Sequence, residues 1–116
     1  MSAPHTIASI TFDCSDAASL ARFWAQLLGR EVAAGATSDY ASVDGDPAFT
    51  FIAVPEDKRA KNRMHLDIAV DVLADAVVRA VELGAEQGEE FDEDGYHWVT
   101  CADPEGNEFD LVVLPS

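Results

Sequence analysis

Apolar and polar residues alternate in several short runs of this 116-residue chain, as they do in half-buried β-strands. Two other segments have apolar residues every three or four positions, the spacing of an amphipathic helix. Strands are predicted at 7–14, 48–54, 66–70, 85–90, 96–102 and 107–114, with two further short strands between 31 and 43. Helices are predicted from Asp16 to about Leu28 and from Asp71 to about Leu83, because an aspartate can cap each start and a glycine follows each end.

The second half of the chain repeats the order of elements found in the first half. Both predicted helices end in Leu-Gly, one further residue and Glu, and a shift of 56 positions aligns Ser9 with His65. Each half is therefore predicted to be a β-α-β-β-β module. Module 1 covers about 5–55 and module 2 about 63–116, within one domain that spans 1–116.

Composition and charge limit the classes of protein to consider. Hydrophobic residues make up 48% of the chain, enough for one compact core, but no apolar run approaches the roughly 20 residues of a membrane helix. The first residues carry no basic segment ahead of an apolar one, so we expect a cytoplasmic protein. Acidic residues outnumber basic ones by 22 to 7, for a net charge of −15. This charge predicts no nucleic-acid partner and no anionic membrane partner.

Three motifs carry a resemblance to a known family: HLDIAV at 65–70, DPEGNEFDL at 103–111 and SDAASLARFWAQLLGREV at 15–32. Together with the paired βαβββ modules, they resemble the vicinal oxygen chelate superfamily. Within it, the chain resembles the small bacterial glyoxalase-like domains, which are relatives of glyoxalase I, bleomycin-resistance proteins and extradiol dioxygenases. The resemblance covers nearly the whole chain. It implies an α+β fold in which the modules form a curved, cup-like mixed sheet with helices on its outer face.

The superfamily usually binds a divalent metal with one ligand from each of four strands, commonly His or Glu. The resemblance places Ser9 at the first of these positions, Ile52 at the second, His65 at the third and Asp110 at the last. Ser9 offers only a neutral hydroxyl and Ile52 offers no donor atom. Since open catalytic sites normally keep three protein ligands, the standard four-ligand site is predicted to be absent. A divalent metal is then expected only if another residue, such as His97, completes the shell.

Strand parity groups further polar residues with His65. Pairing of Ala102 with Asn107 across the Pro/Gly turn would place His97 and Cys101 on the face of Asp110, and Trp98 in the core. The residues predicted to line the cup are Ser9, Thr11, Ile52, His65, Asp67, His97, Cys101, Glu108 and Asp110.

Two classes of function follow from these residues and from the resemblance. The first is an enzyme of the lyase or dioxygenase type, in which His65 and Asp110 act as an acid–base pair or as metal ligands. The second is a non-catalytic protein of the bleomycin-resistance type, which sequesters an apolar or aromatic molecule. Both predict a small organic molecule in the cup. A homodimer is also predicted, because a half-open cup leaves sheet edges and apolar surface to cover.

Overall fold

A computed structural model of the chain describes residues 4–5 and 7–115. The chain divides into two compact units, Met1–Asp57 (unit 1) and Lys58–Ser116 (unit 2). Unit 1 contains β1 (Ser9–Cys14), α1 (Ala17–Leu28), β2 (Tyr40–Val43) and β3 (Ala48–Ala53). Unit 2 contains β4 (Leu66–Ala69), α2 (Leu73–Leu83), β5 (Glu86–Glu93), β6 (Tyr96–Ala102) and β7 (Glu108–Val113). Each unit thus combines one helix with one mixed sheet, which confirms the predicted α+β class.

The sheet of unit 1 has the strand order β1-β3-β2, with β1 parallel to β3 and β2 antiparallel to it. An isolated bridge between Val32 and Val43 stands where the sequence predicted one more short strand. Helix α1 covers one face of this sheet. Its Trp24 ring lies 5.4 Å from Phe12 and 5.9 Å from Phe49, measured between ring centroids. These aromatic side chains fill the core of the unit, as the helical spacing of the apolar residues in α1 predicted.

The sheet of unit 2 has the strand order β4-β7-β6-β5, with β4 parallel to β7 and the other pairs antiparallel. This is the predicted βαβββ module in full. Val99, Phe109 and Leu111 are buried in its sheet, and Leu73 and Val77 are buried on α2. Burying an aliphatic or aromatic side chain of this size contributes about 1.5–3 kcal/mol. Within the described part of the chain, neither helix is long and apolar enough to cross a membrane.

The two helices begin differently. Asp16 caps α1, accepting a hydrogen bond from the Ser19 backbone N–H at 3.2 Å, and Gly29 ends the helix at a φ of +67°. In α2 the N-cap position is held by Val72, which makes no side-chain capping bond. The prediction that Asp71 caps this helix is therefore wrong by one residue.

Successive strand residues point to opposite faces of each sheet, so each unit has a helix-facing side and a distal face, turned away from its helix. In unit 1 the distal face carries Ser9, Thr11, Tyr40, Ser42, Thr50 and Ile52. In unit 2 it carries Asp67, Trp98, Thr100, Asp110 and Val112. The candidate site described below lies on the distal face of unit 2.

The turn between β6 and β7 sets the register of the unit 2 sheet. Ala102 lies opposite Glu108, so the predicted pairing with Asn107 is wrong by one residue. The Asp103 N–H donates to the Asn107 carbonyl at 2.8 Å, so the loop is the three residues 104–106 instead of the four residues 103–106. Gly106 closes it at a φ of +84°, and its N–H donates to the Asp103 carbonyl at 2.8 Å. The buried Asp103 carboxylate also accepts the Asn107 backbone N–H at 2.9 Å and holds Asn107 in the turn.

Candidate functional site

Three ionisable side chains meet at one end of the distal face of unit 2. Parallel pairing of β4 with β7 sets Asp67 beside Asp110, and His65 stands just before β4. The His65 Nε2 lies 3.2 Å from Asp67 Oδ1 and 3.3 Å from Asp110 Oδ2. One possible ligand atom from each residue lies within 4.8 Å of the other two. We call His65, Asp67 and Asp110 the acid–histidine cluster.

Thr100 fixes the orientation of Asp110. Its hydroxyl donates to Asp110 Oδ1 at 2.7 Å, which leaves Oδ2 directed at His65. The Asp110 side chain is 16% exposed, against 50% for His65 and 63% for Asp67. Sequence reasoning missed Thr100. A correct β6–β7 register would have found it, because Thr100 then lies directly opposite Asp110.

A pocket of about 320 Å³ opens beside the acid–histidine cluster, and its volume is at the lower end of the range of small-molecule sites. Its apolar wall includes Trp98, Val112 and Leu114. Phe91 stacks on Trp98 with ring centroids 5.1 Å apart and an interplanar angle of 19°, which supports the indole from the β5 side. The full lining is His65, Asp67, Tyr96, Trp98, Asp110, Val112 and Leu114.

The register shift removes two predicted residues from this face. His97 lies opposite Val113 and Cys101 opposite Phe109, so both point to the helix-facing side and their predicted place beside Asp110 is wrong. The His97 Nε2 contacts Glu90 Oε2 at 2.5 Å. Trp98, predicted to be core, lies in the pocket wall for the same reason.

Cys101 has no features of an activated thiol. It is 2% exposed, and burial raises its thiol pKa, with a further increase from the Asp110 charge. Cys14 and Cys101 are both buried. Because the thiolate is the reactive form, a buried thiol with a raised pKa is a poor nucleophile.

Glu108 shares the face of Asp110, but its carboxylate anchors a loop. Lys58 Nζ lies 3.0 Å from Glu108 Oε1, and the Asn62 backbone N–H donates to Oε2 at 3.0 Å. Burial pushes the Glu108 pKa upward, but the bonds from Asn62 and Lys58 and the Lys58 charge together outweigh it and lower the pKa. The segment that contains Lys58 and Asn62 is thus tied to β7 at this point.

The distal face of unit 1 carries hydroxyl groups at the positions matching the acid–histidine cluster. Thr11 lies opposite Thr50 as Asp67 lies opposite Asp110, so Thr50, and not Ile52, occupies the place of Asp110. Ser9 Oγ and Thr50 Oγ1 lie 2.7 Å apart in a hydrogen bond. The first two positions of the superfamily's usual ligand set therefore hold neutral hydroxyls.

The acid–histidine cluster does fit a divalent ion. An imidazole and two carboxylates are ligand types that zinc and similar ions take, and three protein ligands are the usual number in an open catalytic site. Their convergence within 4.8 Å places all three donors around one point. This chain lacks the superfamily's standard set of four metal ligands. It offers instead a set of three possible ligands, all within unit 2.

The fold is thus that of a small α+β protein in which each unit combines one helix with one mixed sheet. The sequence profile of the glyoxalase-like domain family matches residues 9–112. The chain therefore belongs to the glyoxalase-like domain family of the vicinal oxygen chelate superfamily, as its motifs predicted. A comparison with curated proteins found no match.

Solved structures show the same fold. A glyoxalase/bleomycin resistance protein/dioxygenase family enzyme from Burkholderia phytofirmans matches with a TM-score of 0.82 at 15% identity, over 95% of this chain and 99% of that one. A glyoxalase-related enzyme from Fulvimarina pelagi matches with a TM-score of 0.74 at 16% identity, over 95% and 88%. A lactoylglutathione lyase from Agrobacterium tumefaciens matches with a TM-score of 0.67 at 15% identity, over 95% and 94%. At these identities the likeness concerns the fold, and function has to be argued from the site.

Proposed function

We propose that this protein is a glyoxalase-like enzyme that binds a small organic molecule in the unit 2 pocket and exchanges a proton with it at the acid–histidine cluster. The observation that carries this proposal is the joining of an apolar wall to an ionisable end within one pocket. Trp98 and Val112 suit the apolar part of a ligand, and His65, Asp67 and Asp110 suit an oxygen-bearing part.

The apolar wall favours a planar ligand. Trp98 is the largest side chain of the pocket and is backed by Phe91 at 5.1 Å, so little ordering is needed when a ring packs on it. Aromatic pairs add about 0.5–1.5 kcal/mol beyond the area that they bury. We therefore expect an aromatic or similarly flat molecule, small enough for about 320 Å³.

The ionisable end supplies groups that take and return a proton. An imidazole whose Nε2 lies 3.2 and 3.3 Å from two carboxylate oxygens brings together the side-chain types that acid–base catalysis uses. The fold is also used by proteins described as a glyoxalase-related enzyme and a lactoylglutathione lyase. If a divalent ion is held by the cluster, it would polarise an oxygen of the ligand as a Lewis acid.

The second candidate is non-catalytic sequestration of an apolar molecule. It is favoured by the apolar wall of Trp98, Val112 and Leu114, and by the neutral hydroxyls at the matching positions of unit 1. In this case the pocket binds and the cluster only orients the ligand.

One probe separates the two candidates. 2-Hydroxyacetophenone has a phenyl ring and carries a carbonyl and a hydroxyl on adjacent carbons. Exchange of its α-protons with D₂O can be followed by NMR. We expect binding with faster exchange for the wild-type protein, and a decrease of about 10²–10⁴-fold in the catalysed exchange for Asp110→Asn. Trp98→Ala should weaken binding, whereas His97→Ala, on the other side of the sheet, should leave binding and exchange unchanged.

The outcomes are distinct. Binding lost in Trp98→Ala, without any catalysed exchange, would establish the sequestering function instead. Exchange that is unaffected by Asp110→Asn, or binding that is unaffected by Trp98→Ala, would refute the proposed site.

A further inference from the structure

The geometry points to a divalent metal site contained within unit 2, in which Asp67 is the third ligand beside His65 and Asp110. Asp67 therefore takes over a role that the superfamily usually gives to residues of the first module. This inference does not depend on the proposed reaction, because it concerns binding of the metal alone.

The distances between the donor atoms match those between ligands of one zinc ion. Two ligands each about 2.0–2.1 Å from a zinc ion at a tetrahedral angle lie about 3.3 Å apart. The His65 Nε2 is 3.2 Å from Asp67 Oδ1 and 3.3 Å from Asp110 Oδ2. Charge-assisted N–H···O bonds are typically shorter, about 2.7–2.9 Å. The separations thus match two edges of a coordination shell better than two optimised hydrogen bonds.

A hydrogen bond from Thr100 orients Asp110 in the way that metal ligands are commonly oriented. Ligands of a metal are commonly oriented by a second hydrogen bond to the atom that does not bind the ion. Thr100 donates to Asp110 Oδ1 at 2.7 Å, so Oδ2 is the oxygen presented to the cluster. Asp110 is also the least exposed member at 16%, which makes it the rigid ligand of the three.

The pairing of β4 with β7 brings the ligand positions together within unit 2. Asp67 and Asp110 are direct partners across the parallel β4–β7 pair, and His65, just before β4, lies with its Nε2 3.2 Å from Asp67 Oδ1. Strand pairing therefore fixes the two carboxylates, and His65 approaches them from the residue that precedes β4. No residue of unit 1 is needed, and the matching Ser9 and Thr50 hydroxyls are bonded to each other at 2.7 Å.

The exposed side of the cluster leaves space for further ligands. His65 and Asp67 are 50% and 63% exposed, and the pocket begins at their side chains. A site with three protein ligands and an open side retains coordination positions for water or for an oxygen of a small molecule.

Zinc titration of the chelator-treated full-length protein, followed by calorimetry, tests the inference without any organic ligand. We expect one zinc ion per chain, and an affinity at least about tenfold lower in Asp67→Asn. Asp71→Asn, an exposed aspartate outside the cluster, is the matched control and should bind zinc like the wild type. Thr100→Val should also lower the affinity by about tenfold, since lost ligand support typically costs 10–100-fold.

A separate readout assigns the ligands. In ¹⁵N-correlated spectra of the imidazoles, zinc should shift the His65 Nε2 resonance and leave that of His97 in place. Zinc affinity unchanged in Asp67→Asn would overturn the inference, as would the absence of binding at millimolar zinc. A decrease of more than about threefold in Ser9→Ala or Thr50→Ala would also overturn it, by showing that unit 1 supplies ligands. Failure of the proposed organic-molecule function would leave these results unaffected.

Discussion

Tyr40 and Ile52 stand side by side on the distal face of unit 1 in the same register that joins Trp98 to Val112 in unit 2. Each of these cross-strand pairs joins an aromatic residue to an aliphatic one. A polar cross-strand pair lies two residues further along each sheet, Ser42 with Thr50 in unit 1 and Thr100 with Asp110 in unit 2. The strand order and pairing are also shared, apart from the edge strand that unit 1 reduces to a single bridge.

The two faces differ most at the three positions of the acid–histidine cluster. Unit 1 has Ser9, Thr11 and Thr50 where unit 2 has His65, Asp67 and Asp110. The Ser9 and Thr50 hydroxyls of unit 1 are bonded to each other, while the ionisable groups of unit 2 converge within 4.8 Å beside a pocket. A duplicated sheet thus supplies equivalent positions, and a few side chains decide which copy carries a reactive site.

The largest expected effect is on the free energy of unfolding, and it tests whether each sheet has one core face and one distal face. Phe51 is fully buried on the helix-facing side of unit 1, whereas the neighbouring strand residue Tyr40 is 52% exposed on the distal face. Phe51→Ala should lower the free energy of unfolding by about 3–5 kcal/mol, because it leaves a cavity in the aromatic core. Tyr40→Ala should lower it by less than about 1 kcal/mol. Urea denaturation measures both, and equal losses would mean that the two faces are wrongly assigned.

The next effect tests whether the two distal faces are equivalent. In a His65→Ala background, Ser9→His, Thr11→Asp and Thr50→Asp together should rebuild the acid–histidine cluster in unit 1. We expect zinc affinity at least about 100-fold higher than in His65→Ala alone, because three ligands replace neutral hydroxyls. Thr11→Asp with Thr50→Asp, without the histidine, is the control for added negative charge. If the control binds zinc as tightly as the full transplant, charge rather than matched geometry explains the gain.

The smallest effect concerns a difference just outside the cluster. Glu108 has a lowered pKa and anchors Lys58 and Asn62, whereas Ala48 occupies the corresponding place in unit 1. A carboxyl with a lowered folded-state pKa stabilises the protein above its unfolded pKa of about 4.3. That contribution is lost as the pH falls below this value and through the lower folded-state pKa.

Glu108→Gln should therefore lower stability by about 0.2–1 kcal/mol at pH 7 and by progressively less towards pH 3. The measurement is urea denaturation across this pH range, with the exposed Glu86→Gln as control. A difference between wild type and Glu108→Gln that grows as the pH falls would contradict the assigned sign.

Much of this architecture was predictable from local patterns. The alternation in Ile10, Phe12 and Cys14 and the helical spacing of Leu20, Phe23 and Trp24 identified β1 and α1, because burial on one face imposes these periods on any sequence. Alignment of the two modules identified His65 as the partner of Ser9. Asp67 and Asp110 were predicted to line the same cup, but their direct pairing across β4 and β7 was not predicted, since it depends on which strands are neighbours.

The sequence by itself determined the fold class, the family and the positions of most helices and strands, since these depend on side-chain periodicity, turn residues and short motifs. The tertiary structure decided which residues share a face. The three-residue loop closed by Gly106 moved β6 by one position against β7, and a one-residue shift exchanges the two faces of a strand. This shift turned His97 and Cys101 away from Asp110 and brought Thr100 and Trp98 towards it. Periodicity fixes which residues alternate between the two faces of a strand. The pairing between strands depends on the hydrogen bonds of the turn that joins them.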